Sequence, residues 1–435
     1  MEFVSANPTG PLHLGHGRGA ALGDTLCRIL AHTGHEVVRE FYINDAGQQM
    51  RILGESIYSR WRQITDPAYP FPENGYHGDY ILDLAREISN RVDLVSLNPE
   101  EAIDRCSSVG KEIMLGEIRR DLSDFRVDFD VWSSESDLYA SGLIETALDR
   151  IKARGQVYDK EGASWIKTSV FGDDKDRVVR KGDGEYTYFA SDISYHLQKW
   201  NRGFSRAINI WGADHHGYVQ RMKAALKVND IDENWLSILL IQLVKLWKGG
   251  EEIKMSKRAG RYVTLRELLD DVGVDAARFV FLTKNHDSQL DFDVDLAKRH
   301  DSDNPVYYVQ YAHARICSIF RKAESEGVSL PPEAHRVLAG LGLEEELALI
   351  RLMAEFAPLL EDISRRLDPH RLTYYLTELA SLFHKYFNLG TKEPDKRIVC
   401  ADRALSEARL SLAQGIRIVL HNGLQLLGID APERM

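Results

Sequence analysis

The first residues, MEFVSANPTGPLHLGHGRGA (1–20), decide the fold of this 435-residue chain. A short apolar run at residues 2–5 predicts a strand, and the run from residue 20 to residue 31 predicts a helix. Between them stands the motif HLGH at 13–16. A glycine at a strand-to-helix turn lets the backbone approach a ligand, and the N–H groups of a helix terminus attract phosphate. The stretch therefore predicts the first βα unit of a doubly wound sheet, with a phosphate-binding loop.

The two histidines of the motif are also suited to binding phosphate. His13 and His16 can donate hydrogen bonds to phosphoryl oxygens as negative charge develops on them. Histidines three apart are also half of a metal site, or ordinary polar loop residues, so the four positions alone leave these alternatives open. The meaning of the motif depends on the rest of the chain.

Composition restricts the class of protein. A chain of 435 residues is long for one domain, so two or three cores are expected. The net charge of −11 argues against nonspecific binding of a polyanion by the whole surface, although residues 305–435 carry only −1, from 16 Lys and Arg against 17 Asp and Glu. Scattered cysteines and apolar runs too short for a membrane span predict a soluble, cytoplasmic protein.

The remaining pattern predicts strands alternating with helices, then helices alone. Residues 36–41 predict a second strand before the loop at 42–45, and residues 46–125 have mainly helical spacing. An antiparallel insertion is predicted with strands at 164–167, 177–180 and 186–189. Further strands are predicted at 207–211 and 239–247, the first turning at 212–217 into a helix, and residues 307–435 are almost entirely helical in pattern.

These elements predict an α/β fold: a Rossmann-type doubly wound parallel sheet with an inserted α+β segment, followed by an all-α helical bundle. We expect one domain at 1–300, with the insertion at about 50–185 and a lysine-loop region at about 248–300. A second, all-helical domain is expected at 301–435.

A second motif, KMSK at 254–257, lies between glycines. Gly249 and Gly250 give the loop freedom to hinge, and Gly260 closes it. Lys254 and Lys257, three apart, can place compact positive charges on one triphosphate. A solvated, charged hairpin is the alternative for a lysine-rich loop.

Together the two motifs resemble the signatures of class I aminoacyl-tRNA synthetases. Further stretches are similar to the arginyl-tRNA synthetase family: residues 2–13, 41–47, 212–218, 290–293 and 416–435. The resemblance implies that L-arginine and ATP form arginyl-adenylate, that the arginine passes to the 3′-terminal ribose of tRNA(Arg), and that AMP and pyrophosphate are released. It also implies that the helical bundle binds the anticodon. The family usually carries an N-terminal domain of roughly a hundred residues, and we expect this chain to begin just after it.

The implied reaction needs charge stabilisation rather than a protein nucleophile. An amino-acid carboxylate is already ionised at neutral pH, so its attack on the α-phosphate depends on positioning. By resemblance, His13 and His16 act at the α-phosphate, and Lys254 and Lys257 act at the β- and γ-phosphates. Mg²⁺ is expected to arrive with ATP, since the sequence suggests no dedicated carboxylate cage. The implied ATP-binding residues are His13, Gly15, His16, Gly212, Asp214, His215, Met255, Ser256 and Lys257.

The guanidinium of the implied substrate needs its own pocket, for which carboxylates that accept paired hydrogen bonds are best suited. By resemblance, the arginine-binding residues are Ser5, Asn7, His16, Glu135, Tyr188, Asp192 and His215. Tyr188 and Asp192, four apart, share a face if a helix begins there. Other roles stay open: Asp192 as the N-cap of a helix starting at Ile193, Glu135 as a solvated loop residue, and Asn7 as a turn former. The adjacent histidines 215 and 216 lack a third ligand, so no zinc site is expected.

Aromatic and basic residues mix at the start of the helical region. Tyr307, Tyr308, Tyr311, Arg315 and Arg321 suit stacking on unpaired anticodon bases, although most of these tyrosines are expected in the core. Of this set, Tyr311, Arg315 and Arg321 are expected to bind tRNA. A His-x-Gly-His nucleotidyltransferase is an alternative function, but it needs neither the lysine loop nor the helical domain. A non-catalytic tRNA-binding paralogue is another, against which the intact motifs argue. By resemblance we expect a monomer, and we expect no membrane segment.

Overall fold

The computed structural model describes residues 1–253, 263–331 and 337–435, which separate into two compact units. Unit 1 comprises Met1–Gly23, Val38–Leu243 and residues 263–266. Unit 2 comprises Asp24–Val37, Val244–Ile253 and, apart from 332–336, Glu267–Met435. Within these described residues, no helix combines the length and the apolar character needed to cross a lipid bilayer.

Helices dominate the chain, as the periodicity of residues 46–125 and 307–435 predicts. Residues 1–241 form α1 Leu14–His32, β1 Glu40–Ile43, α2 Gln48–Thr65, α3 Tyr80–Arg91, α4 Pro99–Asp124, β2 Val131–Ser134, α5 Glu135–Ala140, α6 Leu143–Ala153, β3 Val157–Lys160, β4 Ala163–Ile166, β5 Arg177–Arg180, α7 Tyr188–Asn201, β6 Ala207–Gly212, α8 His216–Val228 and β7 Leu236–Ile241. The chain from residue 244 onward forms β8 Val244–Lys248, β9 Glu251–Ile253, α9 Leu265–Val272, α10 Val274–Phe281, β10 Leu290–Asp293, α11 Val294–Ala297, α12 Pro305–Ser325, α13 Glu344–Ala354, α14 Phe356–Arg366, α15 His370–Lys392 and α16 Arg403–Leu426.

The central parallel sheet of unit 1 is doubly wound, as predicted. β1 pairs with β2, and β6 pairs with β7, each in parallel. Glu2 joins the two pairs because it forms parallel bridges to both Glu40 and Asn209. The order across the sheet is therefore β2, β1, residue 2, β6, β7. The winding reverses between residue 2 and β6, and the crevice beyond the carboxyl ends of these two strands is where such sheets bind ligands.

The predicted strand at residues 2–5 is wrong beyond Glu2. Val4 and Ser5 have φ angles of 67° and 41°, in the left-handed region that β-branched residues rarely adopt. The N–H of Ser5 donates to the carbonyl of Phe3 at 2.9 Å and closes a three-residue turn. The chain therefore leaves the sheet after one bridged residue. The second predicted strand, at 36–41, is displaced to Glu40–Ile43.

The antiparallel insertion exists, but its third strand is not the predicted one. β4 pairs with β5 and also with β3, at Val157–Lys160. The predicted strand at 186–189 contributes only a bridge between Tyr186 and Arg180. From Tyr188 the chain is helical instead, because residues 189, 190, 193 and 197 repeat at helical spacing and are buried together.

The predicted strand at 239–247 is two strands. β7 ends at Ile241 and pairs with β6, whereas β8 begins at Val244 and lies between β10, which is parallel to it, and β9, which is antiparallel. Both halves are apolar, so hydrophobicity alone does not reveal the break. In unit 2, α12 begins at Pro305 after Asn304, whose side chain accepts from the N–H of Val306 at 3.3 Å. The domain boundary near residue 300 stays a prediction.

Candidate active site

The HLGH motif begins a helix, and both of its histidine rings contact the backbone. α1 starts at Leu14, so His13 precedes the helix and His16 lies in its first turn. The N–H of Gly15 donates to Nδ1 of His13 at 3.1 Å, and the N–H of His13 donates to Nδ1 of His16 at 3.2 Å. The two rings stack with their centroids 3.7 Å apart. Because each Nδ1 accepts, a neutral ring carries its proton on Nε2, where it can be donated to an anion.

Gly15 makes this arrangement possible. A Cβ added at this position would lie 3.0 Å from Cε1 and 3.1 Å from Nδ1 of the His13 ring. Contacts this short would push the imidazole away from the helix terminus. Gly15 therefore leaves space for the His13 ring as well as for a ligand.

Backbone contacts join the loop to a later segment of unit 1. His13 forms an antiparallel bridge with Thr264, and the N–H of Leu265 donates to the carbonyl of Leu12 at 2.7 Å. Residues 264 and 265 follow the lysine motif by fewer than ten positions. The predicted phosphate-binding residues of that motif lie outside the described residues: Lys254, Met255, Ser256 and Lys257.

The second predicted nucleotide-binding segment follows β6. Gly212 ends β6, residues 213–215 form a 3₁₀ turn, and α8 begins at His216. The side chains of Asp214 and His215 are exposed, with Nε2 of His215 3.8 Å from a carboxylate oxygen of Asp214. Since β6 adjoins residue 2 in the sheet, this segment and the segment that leads into the HLGH loop start at neighbouring strand ends.

Glu135 is enclosed by protein. It is the first residue of α5 and is only 2% exposed, and no donor among the described residues reaches its Oε2. Burial, together with the negative charge of Asp192, raises the pKa of Glu135 to about 7. The alternative of a solvated loop residue is therefore wrong. An enclosed carboxylate oxygen without a donor is costly, and such groups mark functional sites.

A hydrogen-bonded anchor holds the start of α5. Asp45 accepts from the hydroxyl of Ser134 at 2.9 Å and from the N–H of Ser136 at 3.0 Å, and Nζ of Lys111 lies 3.1 Å from it. Burial opposes ionisation, but these hydrogen bonds and the lysine charge lower the pKa of Asp45 overall. Asp45 stays ionised and secures the turn that carries Glu135.

Asp192 lies in the second turn of α7. Because the helix begins at Tyr188, with Thr187 as its N-cap residue, the N-cap alternative for Asp192 is wrong. The hydroxyl of Tyr218 donates to Oδ2 of Asp192. Burial raises the pKa of Asp192 to about 7; the Tyr218 hydrogen bond opposes this shift, the charge of Glu2 adds to it and that of Lys199 reduces it.

The other predicted pocket residues differ in their exposures and in their partners. Tyr188 is 56% exposed and, four residues before Asp192, shares its face of α7. The hydroxyl of Ser5 donates to Glu2 at 3.2 Å and accepts from the N–H of Tyr42 at 3.1 Å, so its donor is used inside the protein. The side-chain amide of Asn7 donates to Gln49, in the first turn of α2, at 2.6 Å.

Three residues that lie beside the same carboxylates were not predicted as site residues: Tyr42, Tyr218 and Lys199. The hydroxyl of Tyr42 is enclosed without a partner among the described residues, and burial and the charges of Glu135 and Asp192 raise its pKa. A signal for part of this set was present. Residues 192, 196 and 199 place Asp, His and Lys at helical spacing on a largely apolar helix, which indicates a polar stripe facing the protein.

Unit 2 contains a cavity of about 810 Å³ that is lined by α12 and by residues 387–399 and 434–435. Tyr311, Arg315 and Arg321 all line it. The Arg315 guanidinium lies 4.5 Å from the centre of the Tyr311 ring and 4.6 Å from that of Phe387. Further basic lining residues are Lys322, Lys396, Arg397 and Arg434, and none of the lining residues that the structure describes is acidic. Tyr311 is half-buried, so it is not a core residue.

Comparisons with known proteins agree with these features. The family model described as tRNA synthetases class I (R), catalytic domain, matches residues 1–312, and the model of the DALR anticodon binding domain matches residues 309–435. The chain is 48% identical to the arginine–tRNA ligase of Aquifex aeolicus, in an alignment that covers 100% of this chain and 80% of that protein. The corresponding enzyme of Syntrophotalea carbinolica is 49% identical, with 100% and 78% covered.

Solved structures give the same result. A chain from Campylobacter jejuni aligns with a TM-score of 0.89 at 37% identity, covering 100% of this chain and 93% of that one. The arginyl-tRNA synthetase of Thermus thermophilus aligns with a TM-score of 0.80 at 25% identity, covering 100% and 82%. These matches confirm the predicted class I catalytic fold followed by a helical anticodon-binding region. The chain belongs to the arginine–tRNA ligases, the class I aminoacyl-tRNA synthetases that attach arginine to tRNA.

Proposed function

We propose that Glu135 and Asp192 bind the guanidinium of the arginine substrate. The observation that carries this proposal is the enclosed carboxylate of Glu135, which is 2% exposed and whose Oε2 has no donor among the described residues, with Asp192 near enough for its charge to act on it. Burial raises the pKa of each of the two carboxylates to about 7. Burial raises these pKa values by more than the charge of Lys199 lowers that of Asp192, so both carboxyl groups hold protons near neutrality until a further cation arrives. A guanidinium is such a cation, and its planar set of N–H donors can serve two carboxylates at once.

The surrounding residues fit the same ligand. The Tyr42 hydroxyl is enclosed without a partner among the described residues, and the charges of Glu135 and Asp192 act on it. Tyr188, at the exposed start of α7, is placed to cover the ligand. We assign contacts with the α-amino and carboxylate groups of arginine to Asn7 and Ser5, the Ser5 oxygen as an acceptor because its proton is donated to Glu2. We assign contacts on the phosphate side to His16 and His215.

The reaction then requires ATP beside the arginine carboxylate. His13 and His16 donate from Nε2 to the α-phosphate at the start of α1, where the helix dipole also favours negative charge. Gly15, Gly212 and Asp214 shape the adenosine side of the crevice. Lys254 and Lys257, with Met255 and Ser256 between them, hold the β- and γ-phosphates and favour release of pyrophosphate. No protein base is needed, because the arginine carboxylate is already ionised.

Magnesium would be held chiefly by the nucleotide. In the parts of the chain that the structure describes, no three His, Cys, Asp or Glu side chains converge as a protein metal site requires. Mg²⁺ binds readily through substrate phosphates and water, so it would arrive with ATP and neutralise phosphate charge. The adjacent imidazoles and lysines act on the remaining charge.

The cavity of unit 2 binds unpaired bases of tRNA(Arg). Arg315 already stacks between two aromatic rings, and the basic residues of the described lining attract phosphate. We expect Arg315→Gln to raise the KM for tRNA about tenfold or more, since a stacked base contributes about 1–3 kcal/mol. The KM for arginine should not change. Arg351→Gln, at an exposed arginine of α13, is the matched control.

The arginine pocket is tested by Asp192→Asn and Glu135→Gln, which keep the shape of each side chain and remove its charge. Each should raise the KM for arginine about tenfold to a hundredfold, because a hydrogen bond to a charged group contributes about 1.5–3 kcal/mol. The KM for ATP should stay within twofold. Asp149→Asn, at an exposed position on α6, is the control. An unchanged KM for arginine in both pocket variants would remove these residues from the site.

A monomeric, cytoplasmic enzyme remains part of the proposal. Sedimentation of the purified chain with and without tRNA(Arg) measures its mass directly. A dimer in the absence of tRNA would contradict the monomer.

A further inference from the structure

Lys199 is a buried cation that the proposed chemistry does not use. It lies in the last half of α7 and is only 4% exposed. Its Nζ lies 2.5 Å from Oε2 of Glu2, which is also buried, and 3.4 Å from the amide oxygen of Asn209. It also lies 4.1 Å from the centre of the Tyr195 ring. An ammonium group is costly to bury, and apolar residues often stabilise a core equally well.

On one side the lysine supports the turn that leaves the sheet. Glu2 pairs with Lys199 through Oε2 and accepts from the Ser5 hydroxyl through Oε1 at 3.2 Å. Ser5 also accepts from the N–H of Tyr42, and both Val4 and Ser5 are held at positive φ. Strained backbone persists only where its surroundings overdetermine it. Glu2, whose charge is balanced by Lys199, is one of the contacts that hold this strained turn in place.

On the other side a chain of hydrogen bonds reaches the arginine pocket. The Asn209 amide donates to Nε2 of His196 at 2.9 Å, and Nδ1 of His196 lies 2.7 Å from the backbone carbonyl of Asp192. Burial and the charge of Lys199 lower the pKa of His196 to about 4, so this ring is neutral. The network therefore runs from the sheet to the helical turn that carries Asp192.

We propose that Lys199 is a positioning residue for arginine recognition, which holds the Ser5 turn through Glu2 and the helical turn of Asp192 through Asn209 and His196. This inference rests on the proposed arginine pocket. It assigns Lys199 no contact with substrate.

The charges of Glu2 and Lys199 act on Asp192 in opposite directions. Groups from five elements act on Asp192 or lie beside it: Glu2 at the sheet, Tyr42 on β1, Glu135 on α5, Lys199 on α7 and Tyr218 on α8. Glu2 raises the pKa of Asp192 and Lys199 lowers it, so the two effects oppose each other. Removing Lys199 alone would leave the effect of Glu2 on the pKa of Asp192 unopposed.

The test is the pH dependence of the KM for arginine, measured by aminoacylation with the full chain. Lys199→Met should move the midpoint of the pH profile up by about one unit and thereby raise this KM about fivefold at pH 7. The KM for ATP should stay within twofold. Lys227→Met, at a surface pair with Glu233, is the control and should match the wild type.

The second and third variants keep the test decisive if Lys199→Met folds poorly. Glu2→Gln retains an oxygen for Ser5 and should move the midpoint down, because the repulsion of Asp192 is lost. The double variant Glu2→Gln/Lys199→Met should return the midpoint to the wild-type value. A loss of activity that raises both KM values equally, with no midpoint shift in any variant, would make Lys199 merely structural and overturn the inference. If Asp192→Asn also leaves the KM for arginine unchanged, the pocket itself is wrong; if it raises that KM, only the role of Lys199 fails.

Discussion

Arginine should bind more weakly as the pH falls through 7. Glu135 and Asp192 have pKa values of about 7, and the guanidinium pairs with their ionised forms. A carboxylate with a pKa of 7 is about one tenth ionised at pH 6 and about nine tenths ionised at pH 8. If one carboxylate must ionise, the KM for arginine falls about tenfold between these values, and if both must ionise it falls up to about a hundredfold. The guanidinium stays charged throughout, so it contributes no titration of its own.

The assay is the initial rate of aminoacylation from pH 5.5 to 8.5, with arginine varied at saturating ATP and tRNA. The KM for ATP, measured over the same range, shows whether the effect is confined to arginine. Asp192→Asn or Glu135→Gln removes one titrating group, so each should reduce the slope of the profile. A KM for arginine that is constant between pH 6 and 8 would refute the assignment of these two carboxylates as the guanidinium ligands.

Three other outcomes are expected. Glu135→Gln should raise the free energy of unfolding of the arginine-free protein at pH 8 by about 2–4 kcal/mol, because a pKa of about 7 makes the ionised Glu135 destabilising above pH 7. Thermal melting measures this effect, and a lower melting temperature of the variant would indicate a structural carboxylate. Gly15→Ala should reduce kcat about a hundredfold, since the new Cβ displaces the His13 ring, while the circular dichroism spectrum stays unchanged. A wild-type kcat in this variant would contradict the proposed position of His13. Lys257→Ala should slow arginine activation by a factor on the order of a hundred while arginine affinity, measured by equilibrium dialysis, stays near normal, and unchanged turnover would exclude this lysine from phosphate binding.

The motifs of the two candidate loops are recognisable in the sequence because each is a local pattern. At α8 the predicted strand, glycine turn and helix follow one another as the structure has them. α1, by contrast, begins at Leu14, before the predicted helical run at 20–31 and after a single bridged residue. The two lysines of the second motif and the aromatic and basic residues of α12 are likewise recognisable from spacing. These are positions where sequence neighbours act together.

The environment of the carboxylates is not predictable in the same way. Glu135 follows a short strand and looks solvated in sequence, but the anchor at Asp45, ninety positions earlier, turns α5 so that Glu135 is enclosed. The strand predicted at 186–189 fails for a related reason. Its aromatic residues favour a strand locally, and packing of the apolar face of α7 overrides that preference. The polar stripe of α7 that includes Lys199 is visible in the sequence, but the role proposed for Lys199 depends on Glu2 and Asn209 lying beside it.

The single bridged residue at the centre of the sheet has a consequence for how the enzyme is made. Glu2 pairs with Glu40 on one side and with Asn209 on the other, so the second pairing closes a loop of more than two hundred residues. Closing so long a loop is entropically unfavourable, and pairings between distant segments form slowly. During translation the two halves of the sheet cannot join until β6 has left the ribosome. The residues proposed for the arginine pocket come from both sides of that junction, so we expect the pocket to be completed only after β6 has paired with Glu2.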